Sequence, residues 1–93
     1  MELAFDPVKS AQNKQLRGLP FERAAEFDFT TAIIRQDIRH PYPEARYQAL
    51  GRLGAMICLL VFTPIPGGLR VISLRRASRK ERRRWQGASQ TRD

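Results

Sequence analysis

Apolar and polar positions along the chain keep one spacing up to about residue 28 and another from residue 30 onward. Leu3, Ala4 and Phe5 predict a short first strand, and Asp6-Pro7 then reads as a helix start, aspartate at the N-cap and proline at N1. That helix is expected to run to Arg17 and stop at Gly18, with Pro20 blocking continuation. Its apolar face is thin (Val8, Ala11, Leu16), as for a helix lying on a sheet. Phe21 to Asp28 predicts a second short helix, with Phe21, Ala24 and Ala25 inward. From Thr30 the period becomes two. Thr30 to Arg35 predicts a strand, Asp37 to Pro43 a proline-pinned loop, and Ala45 to Leu50 an alternating strand. In that last strand Ala45, Tyr47 and Ala49 take one side and Arg46, Gln48 and Leu50 the other. Gly51 and Gly54 are expected to turn the chain into Ala55 to Thr63, whose unbroken apolar character fits a central strand covered on both faces.

The run Pro64-Ile65-Pro66-Gly67-Gly68 is turn chemistry, and Leu69 to Arg76 follows as a strand. Ser78 with Glu81 three residues on forms a capping box for a basic helix, for which Gly87 is the expected end. The fold class is therefore α+β. An antiparallel sheet of three to four strands carries two N-terminal helices and a basic C-terminal helix, mainly on one face. Residues 1–87 make one domain, and residues 88–93 are expected to be a disordered polar tail.

Charge sharpens this picture. Residues 1–47 hold seven basic and seven acidic side chains, whereas residues 48–93 hold ten and two, so the whole net charge of +8 lies in the second half. Such asymmetry favours a phosphate-rich partner, a membrane surface or an acidic protein, and its arginine content favours bidentate phosphate recognition. The single cysteine, Cys58, excludes an internal disulfide and a cysteine-based metal site, and points to a reducing, cytoplasmic setting and a core role. The longest apolar run, residues 55–62, is far short of the ~20 residues of a membrane span, and no signal peptide is read in the first residues.

With these residues laid out, the chain resembles the BrnT-type toxins, the ribonuclease half of a type II toxin–antitoxin pair. The resemblance rests on Phe5 to Lys9, Asn13, Gly18, Phe21 to Asp28, Asp37 with His40, Glu44 to Arg52, and Arg70 to Trp85, in that order. It implies a RelE-like fold, RNA cleavage without a metal or other cofactor, and neutralisation by a small, BrnA-like ribbon-helix-helix antitoxin. It further implies a complex of two toxins and two antitoxins, with operator DNA bound only through the antitoxin. Two departures stand out. Leu16-Arg17-Gly18 replaces a usual Lys-His-Gly, and Leu74 stands where alanine is common.

Metal-free RNA cleavage needs a group to take the 2′-hydroxyl proton, cations for the phosphorane charge, and a donor for the leaving 5′-oxygen. With one histidine in the chain, a pair of imidazoles is impossible. The catalytic candidates are Arg46, Arg70, Arg75 and Arg79 for charge stabilisation, and His40, Glu44 and Lys9 for proton transfer; Tyr47 is better read as packed. Arg17, Arg76, Lys80, Arg82 and Arg83 are candidates for holding RNA phosphates. Plainer readings stand beside these. A basic helix face is ordinarily solvated, strand arginines guard sheet edges, a lone loop histidine is ordinarily inert, and Glu44 can pair with Arg46 or Arg39. Trp85 is expected to anchor the last helix to the sheet or to a partner. The competing function is a non-catalytic RNA-, DNA- or partner-binding module, such as an inactive toxin homologue. The eight aromatic residues are placed mostly as core, so composition offers no base-stacking platform.

Overall fold

The computed structural model describes residues 1–90. The chain is α+β, with more strands than expected: β1 (Glu2–Ala4), α1 (Pro7–Arg17), a 3-10 helix (Phe21–Glu26), β2 (Ile33–Gln36), β3 (Tyr47–Leu53), β4 (Met56–Ile65), β5 (Gly68–Arg76) and α2 (Arg79–Gln90). The strands form one sheet in the order β1-β5-β4-β3-β2. β2 to β5 pair antiparallel, whereas β1 runs parallel to β5, which makes the sheet mixed rather than purely antiparallel. Gly68 permits that edge pairing, because a Cβ there would overlap the Glu2 backbone carbonyl.

Helix α1 begins and ends as its sequence dictates. The Asp6 carboxylate accepts from the Val8 N–H at 2.9 Å, and Gly18 closes the helix in the left-handed region at φ 71°. Its inward face is a different matter. Val8 and Leu16 are 64% and 82% exposed, and the buried residues are Ser10 and Asn13. Both Asn13 Nδ2 hydrogens are used on backbone carbonyls, Leu19 O at 2.6 Å and Leu74 O at 2.8 Å, which tie the helix end to β5. Ser10 accepts from the Phe21 N–H at 2.8 Å and donates to Glu22 at 2.6 Å, which holds the Glu22 pKa below its ordinary value. Helix α1 is thus docked by hydrogen bonds where an apolar face was expected.

The sheet separates two apolar clusters. Leu19, Phe21, Ala24, Phe27, Ala49, Cys58, Leu60, Phe62, Val71 and Leu74 pack on the side of α1 and the 3-10 helix. Leu50, Leu59, Val61 and Trp85 pack on the other side, beneath α2. The helices therefore cover both faces, which corrects the one-face expectation and explains why β4 is apolar throughout. Trp85 anchors α2 to the sheet and donates its indole N–H to Thr31 O at 3.0 Å. The Ser78–Glu81 capping box forms with both hydrogen bonds, at 2.9 and 3.2 Å.

Two glycines act differently from expectation. Gly51 lies inside β3, where a Cβ would sit 3.0 Å from both the Ala32 Cβ and the Phe27 ring; the turn falls at Gly54, with φ 60°. Gly87 does not end α2, which continues to Gln90, so residues 88–90 of the expected tail are helical and residues 91–93 lie outside the described residues. No helix among the described residues is long and apolar enough to cross a membrane.

Candidate active site

Sheet register brings distant arginines together. One cross-strand row reads Ile33, Leu50, Leu59, Arg75, and the next reads Arg35, Gln48, Val61, Ser73. Both rows face α2, since their apolar members belong to its cluster and alternate residues face the other way. Arg46, two residues before Gln48, continues the same face. A bulge between Val61 and Phe62 shifts the pairing of β5 by one residue, so Arg70 and Arg75, an odd number of positions apart, both point to the α2 side.

The result is a hollow of about 590 Å³, lined by Arg35, Arg39, Arg46 and Arg75 with Asp37 and Glu81. Four guanidiniums against two carboxylates leave a net of two positive charges. Neither carboxylate is loose. Glu81 grips Arg75 with two hydrogen bonds, Nη1 to Oε1 at 2.8 Å and Nη2 to Oε2 at 2.9 Å. Asp37, whose side chain is 1% exposed, grips Arg39 through Nε at 2.8 Å and Nη2 at 2.7 Å. Each bidentate pair fixes the plane of a guanidinium that would otherwise be flexible.

Hydrogen bonding from Arg75 lowers the Glu81 pKa to about 2, and the same pair raises Arg75, against which the nearby Arg39 charge pushes. Asp37 is likewise held far below the carboxylate range, chiefly by its hydrogen bond from Arg39. A depressed folded-state pKa adds stability above the unfolded value and loses it as pH falls through the folded one. Stability is therefore expected to decline as pH drops from about 4.5 to about 2, and less steeply in Glu81→Gln, which has no such proton to take up. Denaturant melts across that range check this; identical slopes for the two proteins would contradict it.

A second hollow of about 560 Å³ adjoins the first, lined by residues 36–46, including His40, Tyr42 and Glu44. Glu44 meets Arg70 Nη1 on β5 at 3.2 Å, rather than Arg46 or Arg39 as expected. Among the sequence candidates, Arg46 and Arg75 share the first hollow, and His40, Glu44 and Arg46 the second. Arg79 and Arg83 are exposed and stand about 160° around the helix from Glu81, on the outer face of α2. Lys80 and Arg82 are exposed on the same helix. Lys9 and Arg17 belong to α1 across the sheet, where Arg17 reaches Asn13 Oδ1 at 3.4 Å. Arg76, next to Arg75, points to that side as well, where its charge acts on Cys58. Tyr47 stacks on Phe62 in the core at 5.9 Å.

Arg35 and Arg39 were not singled out by sequence. The alternation Ile33, Arg35 and the spacing Asp37-x-Arg39 carried the only signal, and it gains meaning once β2 is paired in register. Among the described residues no group of three or more His, Cys, Asp or Glu side chains could hold a metal ion.

Comparison with known proteins adds one finding. Neither a curated protein nor a solved structure matches the chain. A family profile described as the ribonuclease toxin BrnT of type II toxin–antitoxin systems matches residues 5–81, a span that runs from just before α1 to Glu81 and takes in both hollows. The protein therefore belongs to the BrnT family of ribonuclease toxins, for which an RNA substrate and a cognate antitoxin are implied.

Proposed function

We propose that the chain is a metal-independent endoribonuclease of RelE-like style that cuts RNA in the cytoplasm and so inhibits translation and growth. A small DNA-binding antitoxin holds it in check, as two toxins with two antitoxins. The observation that carries the catalytic reading is the convergence of four guanidiniums on one hollow, two of them locked in plane by carboxylates. In this reading the 2′-oxygen forms a bond to the neighbouring phosphorus, the bond from phosphorus to the 5′-oxygen breaks, and a 2′,3′-cyclic phosphate and a 5′-hydroxyl result. The phosphorane carries extra negative charge on its non-bridging oxygens, and preorganised cations facing that point stabilise it more than the ground state. Arg46 and Arg75, with Arg35 and Arg39 beside them, take that role. Proton transfer falls to the loop side of the site, where His40 and Glu44 line the adjoining hollow. Arg70, paired with Glu44, orients that carboxylate.

The direct test is end-labelled RNA incubated with purified protein in excess chelator. Products with 5′-hydroxyl ends are expected, at a rate unchanged by added Mg²⁺. Binding without cutting would favour the non-catalytic module, and cutting that needs added metal would overturn the metal-free mechanism. Growth arrest on expression, relieved by a co-encoded partner, is the expected cellular counterpart.

A further inference from the structure

The catalytic reading leaves the second hollow without a ligand. Its walls are unlike those of the first. Tyr42 carries the Arg46 guanidinium over its ring at 4.2 Å, and the His40 ring meets it edge-on, with centroids 5.6 Å apart and planes at 82°. Two rings at nearly right angles make a corner, so a third flat group can lie along one ring with its edge against the other. The loop that carries them is held in shape. Its ends are closed by the Asp37 N–H donating to Arg46 O at 2.7 Å, and Tyr42 N–H donates to His40 O at 3.0 Å. Pro41 and Pro43 stiffen the tip. The hollow shares a wall with the arginine-lined one, since Asp37, Arg39 and Arg46 line both.

We propose that the hollow beneath residues 37–46 is a nucleobase subsite, which takes an unpaired base of the RNA strand adjoining the bound phosphodiester. The inference rests on the phosphate-binding reading of the first hollow. Every base has a π-face, and aromatic rings and guanidinium planes are the groups that stack on it when it is splayed out of a strand. A base in a duplex is already stacked and paired, so this geometry selects single-stranded RNA. Composition alone concealed the platform, because it depends on one tyrosine, one histidine and one arginine brought together by a loop.

The test uses the full chain and a single-stranded oligonucleotide made uncleavable by 2′-O-methyl groups, with one abasic site moved stepwise along it. Fluorescence anisotropy is expected to show affinity falling about tenfold when the abasic site reaches the position beside the bound phosphate. Tyr42→Ala is expected to lose a similar factor on the intact strand and little more on the abasic one, while Tyr42→Phe keeps the ring and the affinity. Equal binding of every abasic strand by the unaltered protein overturns the subsite and leaves the phosphate reading standing. Failure to bind any of the strands overturns both. Base-dependent binding in a protein that cuts no cleavable RNA supports the subsite and removes only the catalytic claim.

Discussion

Arg75→Ala is expected to lower RNA cleavage about 10²- to 10³-fold, the loss typical of removing one preorganised donor aimed at developing charge. Arg75 reaches the hollow from β5 and is held there by Glu81 at 2.8 and 2.9 Å. Its removal does two things: the hollow loses a cation, and it keeps a carboxylate whose remaining partner is the Ser78 N–H. The double variant Arg75→Ala/Glu81→Ala restores the net charge without restoring the fork. It is expected to remain as inactive as the single variant, which separates a placed guanidinium from general positive potential. Arg75→Lys is expected to recover little, since an ammonium offers a point charge and cannot span two carboxylate oxygens while facing a third group. Arg79→Ala supplies the contrast. Its side chain lies on the outer face of α2, so an effect as large as that at Arg75 would mean that RNA is held over the helix rather than in the hollow. Single-turnover cleavage rates on one RNA, with circular dichroism to show each variant folded, decide between these outcomes.

The second large effect concerns the fold. Asn13→Ala is expected to destabilise the protein by about 2–3 kcal/mol, because two buried carbonyls lose a donor at once and the methyl group does not fill the space. At ~4–8 °C per kcal/mol for a domain of this size, the melting temperature should fall by about 8–24 °C. Val8→Ala and Leu16→Ala, apolar changes on the same helix, should move it little, because both side chains face solvent. The reverse pattern, with Leu16 costly and Asn13 cheap, would mean that α1 docks through its apolar positions after all.

That contrast shows what could be read from the residues in order. Local signals were legible because their physics is local. Asp6-Pro7, Gly18 and the Ser78–Glu81 box each specify a helix end within a few residues of chain, and each is found as expected. Tyr47 and Trp85 were rightly read as packed and as an anchor. What was not legible depends on pairing between remote segments. The parallel β1 requires Gly68, more than sixty residues away, to leave room for the Glu2 carbonyl. The β4–β5 bulge, which only the pairing reveals, puts Ile72 and Arg75, an odd number of positions apart, on the same face beneath α2. Half of the hollow's cations were missed for the same reason. Arg35 looks like the end of an edge strand and Arg39 like a partner for Glu44 until β2 is set against β3. Helix α1 misled in another way: its buried residues are polar and its apolar ones exposed, so periodicity pointed to the wrong face.

The central claim is that RNA phosphate sits among the arginines on the α2 side of the sheet. NMR of the arginine side-chain Nε–Hε groups, titrated with a 2′-O-methyl dinucleotide, addresses it residue by residue. The expected result is that signals from Arg35, Arg39, Arg46 and Arg75 move together and saturate together. Saturating shifts confined to Arg17 and Arg76 across the sheet, or to Arg79 and Arg83 on the outer face of α2, would contradict it.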